Sequence, residues 1–222
     1  MYIQLKNQVL YYEKSGQGDP ILLLHGNGGS HGEFDVLAAD LELDYTVYAM
    51  DSRGQGLSAK PAEFHYQDMA DDVVGLIQAL EIKKTAIYGF SDGGIIALLV
   101  ASQHPDLVSS LMISGANLSP RGVNFFVRQH IRRLAKKTGD PLQTLMLTEP
   151  HLTRADLEKI SCPTLVLAGS MDLILPAETR RIAKWIPDSQ LMILPRETHS
   201  SYVLHSDKLG PILRKFLNPD SF

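Results

Sequence analysis

Three residues in this chain have the types required for nucleophilic catalysis. Ser91 stands in Gly89-Phe90-Ser91-Asp92-Gly93-Gly94. A G-x-S-x-G run between an apolar strand and a helix makes a tight turn in which the serine backbone is strained and the residues two positions away must be small. Gly89 and Gly93 supply that space. The turn lifts the hydroxyl over the strand ends and puts the next N–H, that of Asp92, at a helix N-terminus where it can meet an oxyanion. A second backbone donor is available from Asn27 in His25-Gly26-Asn27-Gly28-Gly29, and the Asn27 side chain can add a contact. A hydroxyl needs a base, and the base needs an acid to orient it. His199 follows Arg196-Glu197-Thr198, and Asp172 follows Gly169-Ser170-Met171. An unperturbed imidazole titrates near 6.5, so a neutral His199 accepts a proton at ordinary pH. The chemistry this set would do is acyl transfer.

Each feature has a plainer rival. A serine in a Gly-rich turn can be structural, as can a Gly-rich loop at residues 25–29. Strand, Gly-rich loop and helix followed by Asp51 also suit a dinucleotide site, but Gly26-Asn27-Gly28 is followed by Gly29-Ser30-His31, and the third required glycine is missing. In Asp51-Ser52-Arg53-Gly54-Gln55-Gly56-Leu57-Ser58, the polar residues are expected to satisfy one another in a loop. Among the eight histidines, His205 falls in the last helical pattern, His104 before Pro105 reads as a helix-end cap, and His31 and His65 read as surface loop residues. Glu197 and Asp188 are rival acids to Asp172. Cys162 precedes Pro163 at a strand start and is expected to pack there.

The elements that must hold these residues follow from periodicity. Residues 21–24, 46–50, 85–90, 107–114, 164–168 and 190–194 are short apolar runs, the pattern of strands buried on both faces. Residues 2–6 and 9–14 flank Asn7-Gln8 as a hairpin. Between the runs lie helical patterns. Residues 68–80 carry Met69, Val73, Leu76, Ile77 and Leu80 on one face. Residues 91–103 read as a buried helix, and 177–185 and 206–216 as two more. Alternating strands and helices imply parallel pairing in a layered α/β sheet. About fifty residues separate two strands near positions 114 and 164. There, 125–137 and 141–147 read as helices, and 153–159 as a helix whose start has Thr153 three residues before Asp156.

The 222 residues are 44% hydrophobic and 21% charged, so the chain is expected to form one globular α/β domain over 1–222. A net charge of −4 argues against a broadly basic nucleic-acid surface. One cysteine excludes an internal disulfide and a Cys-rich zinc site. The N-terminus does not read as a signal peptide, and no apolar stretch is long enough to span a membrane. A cytoplasmic protein with no nucleic-acid or membrane partner is the expectation. Oligomeric state is not legible.

Taken in order, the 25–29, 51–58 and 89–93 motifs resemble the α/β-hydrolase fold superfamily. The Cys162-Pro163-Thr164-Leu165-Val166-Leu167-Ala168-Gly169 run and the Asp172 and His199 loops add to the likeness, which covers nearly the whole chain. Ser91, Asp172, His199 is also the chain order of that template. The resemblance implies a mostly parallel eight-stranded sheet with an initial antiparallel hairpin, and a helical cap after the sixth strand, here residues 119–150. It implies a serine esterase or lactonase, with Ser91, Asp172 and His199 catalytic and the Asn27 and Asp92 N–H groups forming the oxyanion hole. A C–C hydrolase, lyase or perhydrolase with the same triad, or a non-catalytic binding module, is the alternative. Family members that are haloalkane dehalogenases or epoxide hydrolases carry Asp where Ser91 stands. Asp92, where many relatives have an apolar residue, either disfavours anionic substrates or pairs with a polar neighbour. A small-molecule acyl substrate is the expected partner, with no cofactor or metal. Phe125, Phe126 and Ile174 are candidate substrate contacts, with Phe125, Phe126, Ile131 and Leu134 expected to turn one apolar face to the site. The basic run Arg128, Arg132, Arg133, Lys136, Lys137 reads as a solvated helix face or as a contact for a carboxylate or phosphate. A cap of about thirty residues implies an open pocket.

Overall fold

The apolar runs pair side by side. The computed structural model describes residues 1–218, in which β1 (Tyr2–Gln4), β2 (Val9–Ser15), β3 (Asp19–Leu24), β4 (Tyr45–Met50), β5 (Thr85–Phe90), β6 (Val108–Ser114), β7 (Thr164–Met171) and β8 (Ser189–Thr198) form one sheet. The strand order is β1-β2-β4-β3-β5-β6-β7-β8. β1 and β2 form the expected antiparallel hairpin, β2 is antiparallel to β4, and the remaining pairs are parallel.

Alternation along each strand divides the core into two layers. In β3, Leu22 and Leu24 face one cluster, and Ile21 and Leu23 the other. The first cluster packs under α2 (Tyr66–Ala79), α3 (Asp92–Gln103), α6 (Arg154–Leu157) and α7 (Pro176–Trp185). The second packs under α1 (Asp35–Leu41) and α8 (Leu209–Leu217). α3 is apolar nearly all round because it lies against the strands on one side and α2 on the other. At α6 the Thr153 side chain accepts from Asp156 N–H while the Asp156 carboxylate accepts from Thr153 N–H, a reciprocal cap consistent with the Thr-x-x-Asp signal.

Three local readings need correction. Residues 31–41 read as helical only within the dinucleotide-site rival, whereas here a 3₁₀ turn at His31–Phe34 leads into α1, with Phe34, Leu37 and Leu41 buried. α8 begins at Leu209, and His205 lies ahead of it at φ 49°, paired with Asp35. β7 and β8 run past their apolar segments, and β8, at the sheet edge, leaves Leu191, Met192 and Ile193 exposed where burial on both faces was expected. Their register shifts between Gly169 and Met171, where Gly169 pairs with Leu194 but Met171 with Thr198, so β8 carries two extra residues. Polar, exposed residues in that bulge hid it from the hydrophobic pattern.

Between β6 and β7 lie α4 (Phe125–Thr138) and α5 (Pro141–Thr148), packed on each other above the sheet. Asn124 and Asp140 cap them through side-chain oxygens that accept from Phe126 and Leu142 N–H.

Candidate active site

Ser91 connects β5 to α3 at φ 53°, ψ −115°, a region that non-glycine residues rarely occupy. The turn is held from both sides. Ser91 N–H donates to Ser114 O at 2.8 Å, and Gly94 and Ile95 N–H donate back to Ser91 O. A Cβ on Gly89 would lie 2.2 Å from Gly93 O, and one on Gly93 would lie 2.0 Å from Leu24 O. Both contacts are against backbone that has no room to retreat, which is why the turn takes glycine at both positions.

The ends of β7 and β8 bring in the partners. His199 Nε2 lies 3.0 Å from Ser91 Oγ, and His199 Nδ1 lies 2.7 Å from Asp172 Oδ1. The geometry assigns Nδ1–H as donor to the carboxylate and Nε2 as acceptor from the serine hydroxyl. Asp172 is almost wholly buried, and its Oδ1 also accepts from Ile174 N–H at 2.9 Å. Its Oδ2 is buried with no partner among the described residues. The Phe90 ring packs 5.0 Å from the imidazole. Gly115, at φ 62°, lies under the same ring, where a Cβ would sit 2.7 Å from His199 Cε1. Sequence reading missed Gly115, although a glycine directly after a strand was a visible signal.

The 25–29 loop lies against the turn. His25 is buried, with Nδ1 donating to Gly26 O and Nε2 accepting from Ser52 N–H. Burial lowers its pKa, so it is neutral in that role. Asn27 Nδ2 donates to Asp92 Oδ2 at 2.8 Å and to Leu142 O of α5 at 3.3 Å. One side-chain amide therefore ties the loop, the residue after Ser91 and the helical insertion together. Asp92 is buried, and desolvation raises its carboxyl to about 6 against the opposing pull of Asn27, Tyr66 and His199. The buried Tyr66 hydroxyl faces this carboxylate without forming a well-aligned hydrogen bond. Of the two expectations for Asp92, the structure thus supplies the polar neighbour. Glu33 was not picked out in the sequence. Its carboxylate accepts from Gly26 N–H at 3.2 Å, and burial raises its pKa.

The remaining candidates separate. Asp51 is fully buried and accepts from His31 N–H, His31 Nδ1–H and Leu57 N–H, so His31 is a partner of that loop rather than a free surface residue. Ser58 Oγ donates to Asp51 O, but Arg53 turns away to pair with Asp72 and Asp68. His65 pairs with Glu149, and Glu197 with Lys208. Cys162 is buried and its thiol pKa is raised by that burial. Among the described residues, no group of three or more His, Cys, Asp or Glu side chains could hold a metal ion. The expected apolar face of α4 is divided. Ile131 is buried and Leu134 half-buried, whereas Phe125 and Phe126 are 56% and 78% exposed and stack edge to face on each other. A helix that packs on α5 along the line of Ile131 necessarily turns positions 125 and 126 outward. Ile174 is buried beside Asp172 and bridges to Val123.

A profile described as the alpha/beta hydrolase fold matches residues 19–137. The chain belongs to this family. It is 31% identical over 242 residues to a protein named serine hydrolase BPHL from Homo sapiens, covering 94% of this chain and 82% of that protein. That matched stretch is longer than the 222-residue chain, so the human protein carries residues with no counterpart here. Among solved structures, a thermophilic esterase from Thermogutta terrifontis has a TM-score of 0.84 at 22% identity, covering 99% of this chain and 98% of that one. An enol-lactonase from Burkholderia xenovorans LB400 has a TM-score of 0.82 at 20% identity, covering 98% and 99%. At these identities the two structures speak for the fold. No helix among the described residues is long and apolar enough to cross a membrane.

Proposed function

We propose that this alpha/beta hydrolase is a serine hydrolase that cleaves a small or medium ester, thioester or lactone through an acyl-enzyme on Ser91. The observation that carries the reading is the unbroken hydrogen-bonded chain from Ser91 Oγ through His199 to Asp172. In this mechanism Ser91 Oγ attacks the acyl carbon as its proton passes to His199 Nε2. Asp172 holds the imidazole in the productive tautomer and stabilises the imidazolium. The N–H groups of Asn27 and Asp92 receive the oxyanion. Asp92 N–H is the first of α3 and has no intrahelical acceptor. Collapse breaks the bond to the leaving group, which takes the proton from His199. Water then attacks the acyl carbon with His199 again as base, releasing the acid and restoring Ser91. No step calls for a metal or cofactor. The substrate partner is a small-molecule acyl compound. Residues 119–150 act as a small cap, and the half-buried Ser91 and His199 are consistent with an open site.

The test is hydrolysis of p-nitrophenyl acetate and butyrate together with labelling by a fluorophosphonate probe. Ser91→Ala is expected to lose at least about 10⁴-fold in kcat and all labelling at this site. A stable acyl adduct on Ser91 by intact mass would separate acyl transfer from lyase or C–C bond chemistry with the same residues. Equal rates for Ser91→Ala and the unaltered enzyme would refute the reading, and a folded protein that fails to label would point to a binding module.

A further inference from the structure

α4 presents a surface unlike the rest of this acidic chain. Phe125, Phe126, His130, Arg132, Arg133, Lys136 and Lys137 are exposed, whereas Val127, Ile131, Leu134 and Ala135 are turned inward or half-buried. At 100° per residue the exposed set lies on one side of the helix. No Asp or Glu occurs between residues 125 and 138. The ion pairs made by arginine and lysine side chains among the described residues do not include Arg132, Arg133, Lys136 or Lys137. The Phe125–Phe126 end is fastened to the loop that carries Asp172, because Asn124 N–H donates to Leu173 O at 2.9 Å. That loop exposes Met171, Leu173 and Leu175. Large apolar side chains therefore gather at the edge of the site, and four cations without an acidic partner among the described residues continue from them along one helix face; Arg132 donates only to the Gln129 amide oxygen.

We propose that this face docks the enzyme on an anionic phospholipid surface, with Phe125 and Phe126 entering the boundary between headgroups and acyl chains and the cations meeting phosphate. Aromatic side chains joined to a lysine- and arginine-bearing face are the composition of a helix that lies in the interfacial plane. The expectation of no membrane partner rests on the lack of a spanning segment, but an interfacial helix needs no span. A second copy is a poor occupant, since two such faces repel. Nucleic acid is disfavoured by the net charge of −4 and leaves the exposed leucines and methionine without cover. Docking depends on this surface and not on the chemistry assigned to Ser91.

The experiment is cosedimentation with vesicles of phosphatidylcholine alone or of equal parts phosphatidylcholine and phosphatidylglycerol. The protein is expected to sediment with the mixed vesicles only, and to be released in molar salt, where the screening length is about 3 Å. Replacing Arg132→Glu and Arg133→Glu together should weaken partitioning at least about tenfold while leaving hydrolysis of a soluble ester unchanged, which also reports that the variant is folded. Phe126→Ser should weaken it with the charge intact. Absence of binding to the mixed vesicles would overturn the proposal. So would undiminished binding by either variant, or a concentration-dependent dimer that the same substitutions abolish.

Discussion

Asp92 shows how one residue can be read correctly in kind and still acquire its meaning from its surroundings. Its carboxyl is buried and raised to about 6, above the 3.8 of a free side chain. The native state therefore holds a proton that the unfolded chain releases. Stability from this group is fully present below the unfolded value and is lost as pH rises through about 6, an order-of-magnitude cost of about 3 kcal/mol. Asp92→Asn should flatten the stability-versus-pH curve between about 4 and 6, measured by urea unfolding at a series of pH values. The ionised carboxylate beside the site should also slow esters bearing an acyl carboxylate relative to neutral ones, and kcat/KM for the pair should converge in Asp92→Asn. Asp172→Asn is expected to lower kcat by roughly 10⁴-fold, because the amide no longer specifies the tautomer that leaves Nε2 free to accept. Cys162 is buried with a raised thiol pKa, so iodoacetamide should leave activity intact while Ser91-directed probes remove it.

At the scale of elements, the strand–turn–helix around Ser91 tolerates no extra atom on its inner side. Gly93→Ala would force a Cβ to 2.0 Å from Leu24 O, moving β3 and the 25–29 loop together. Expected outcomes are a loss of several kcal/mol in chemical denaturation and of activity at temperatures where the protein is still folded. The glycines, the apolar run before Ser91 and the apolar helix after it made this element legible from local pattern alone. The bulge between β7 and β8 was not legible, although it sets where Asp172 and His199 leave the sheet. Its residues Pro195, Arg196 and Glu197 carry no hydrophobic period, and its geometry comes from Arg196 N–H donating to Ser170 Oγ across the two strands. Residues 31–41 carry only a weak periodic signal for another reason. Their apolar positions Phe34, Leu37 and Leu41 are too few to outweigh the polar residues between them, and the helix is fixed by burial against the sheet.

At the scale of the molecule, the reading of α4 and α5 as a small cap under the proposed function implies a lightly covered site. Across acetyl to octanoyl p-nitrophenyl esters, kcat/KM is expected to vary within about one to two orders of magnitude, since a methylene discriminates about tenfold or more only when an apolar pocket encloses it, and an open site leaves most of a longer chain in water. A sharp optimum at one chain length would mean a closed, shaped pocket. The Asn27 amide, donating to Asp92 and to Leu142 O, holds the 25–29 loop and the helical insertion in common. Asn27→Ala should lower kcat more than it raises KM and should loosen α5, seen as faster amide exchange there.

The sequence by itself determined what is local. A nucleophile turn needs small residues at fixed offsets, a buried parallel strand needs an unbroken apolar run, and a helix start needs its cap. These requirements act over a few residues and leave a readable mark. The tertiary structure alone decided which histidine and which acid reach Ser91, because those hydrogen bonds join positions 108 and 27 residues apart. It also decided that Arg53 answers Asp72 instead of Asp51, and that Phe125 and Phe126 face outward. Side-chain partnership depends on where whole strands and helices are brought together, and hydrophobic periodicity records only which face of each is buried.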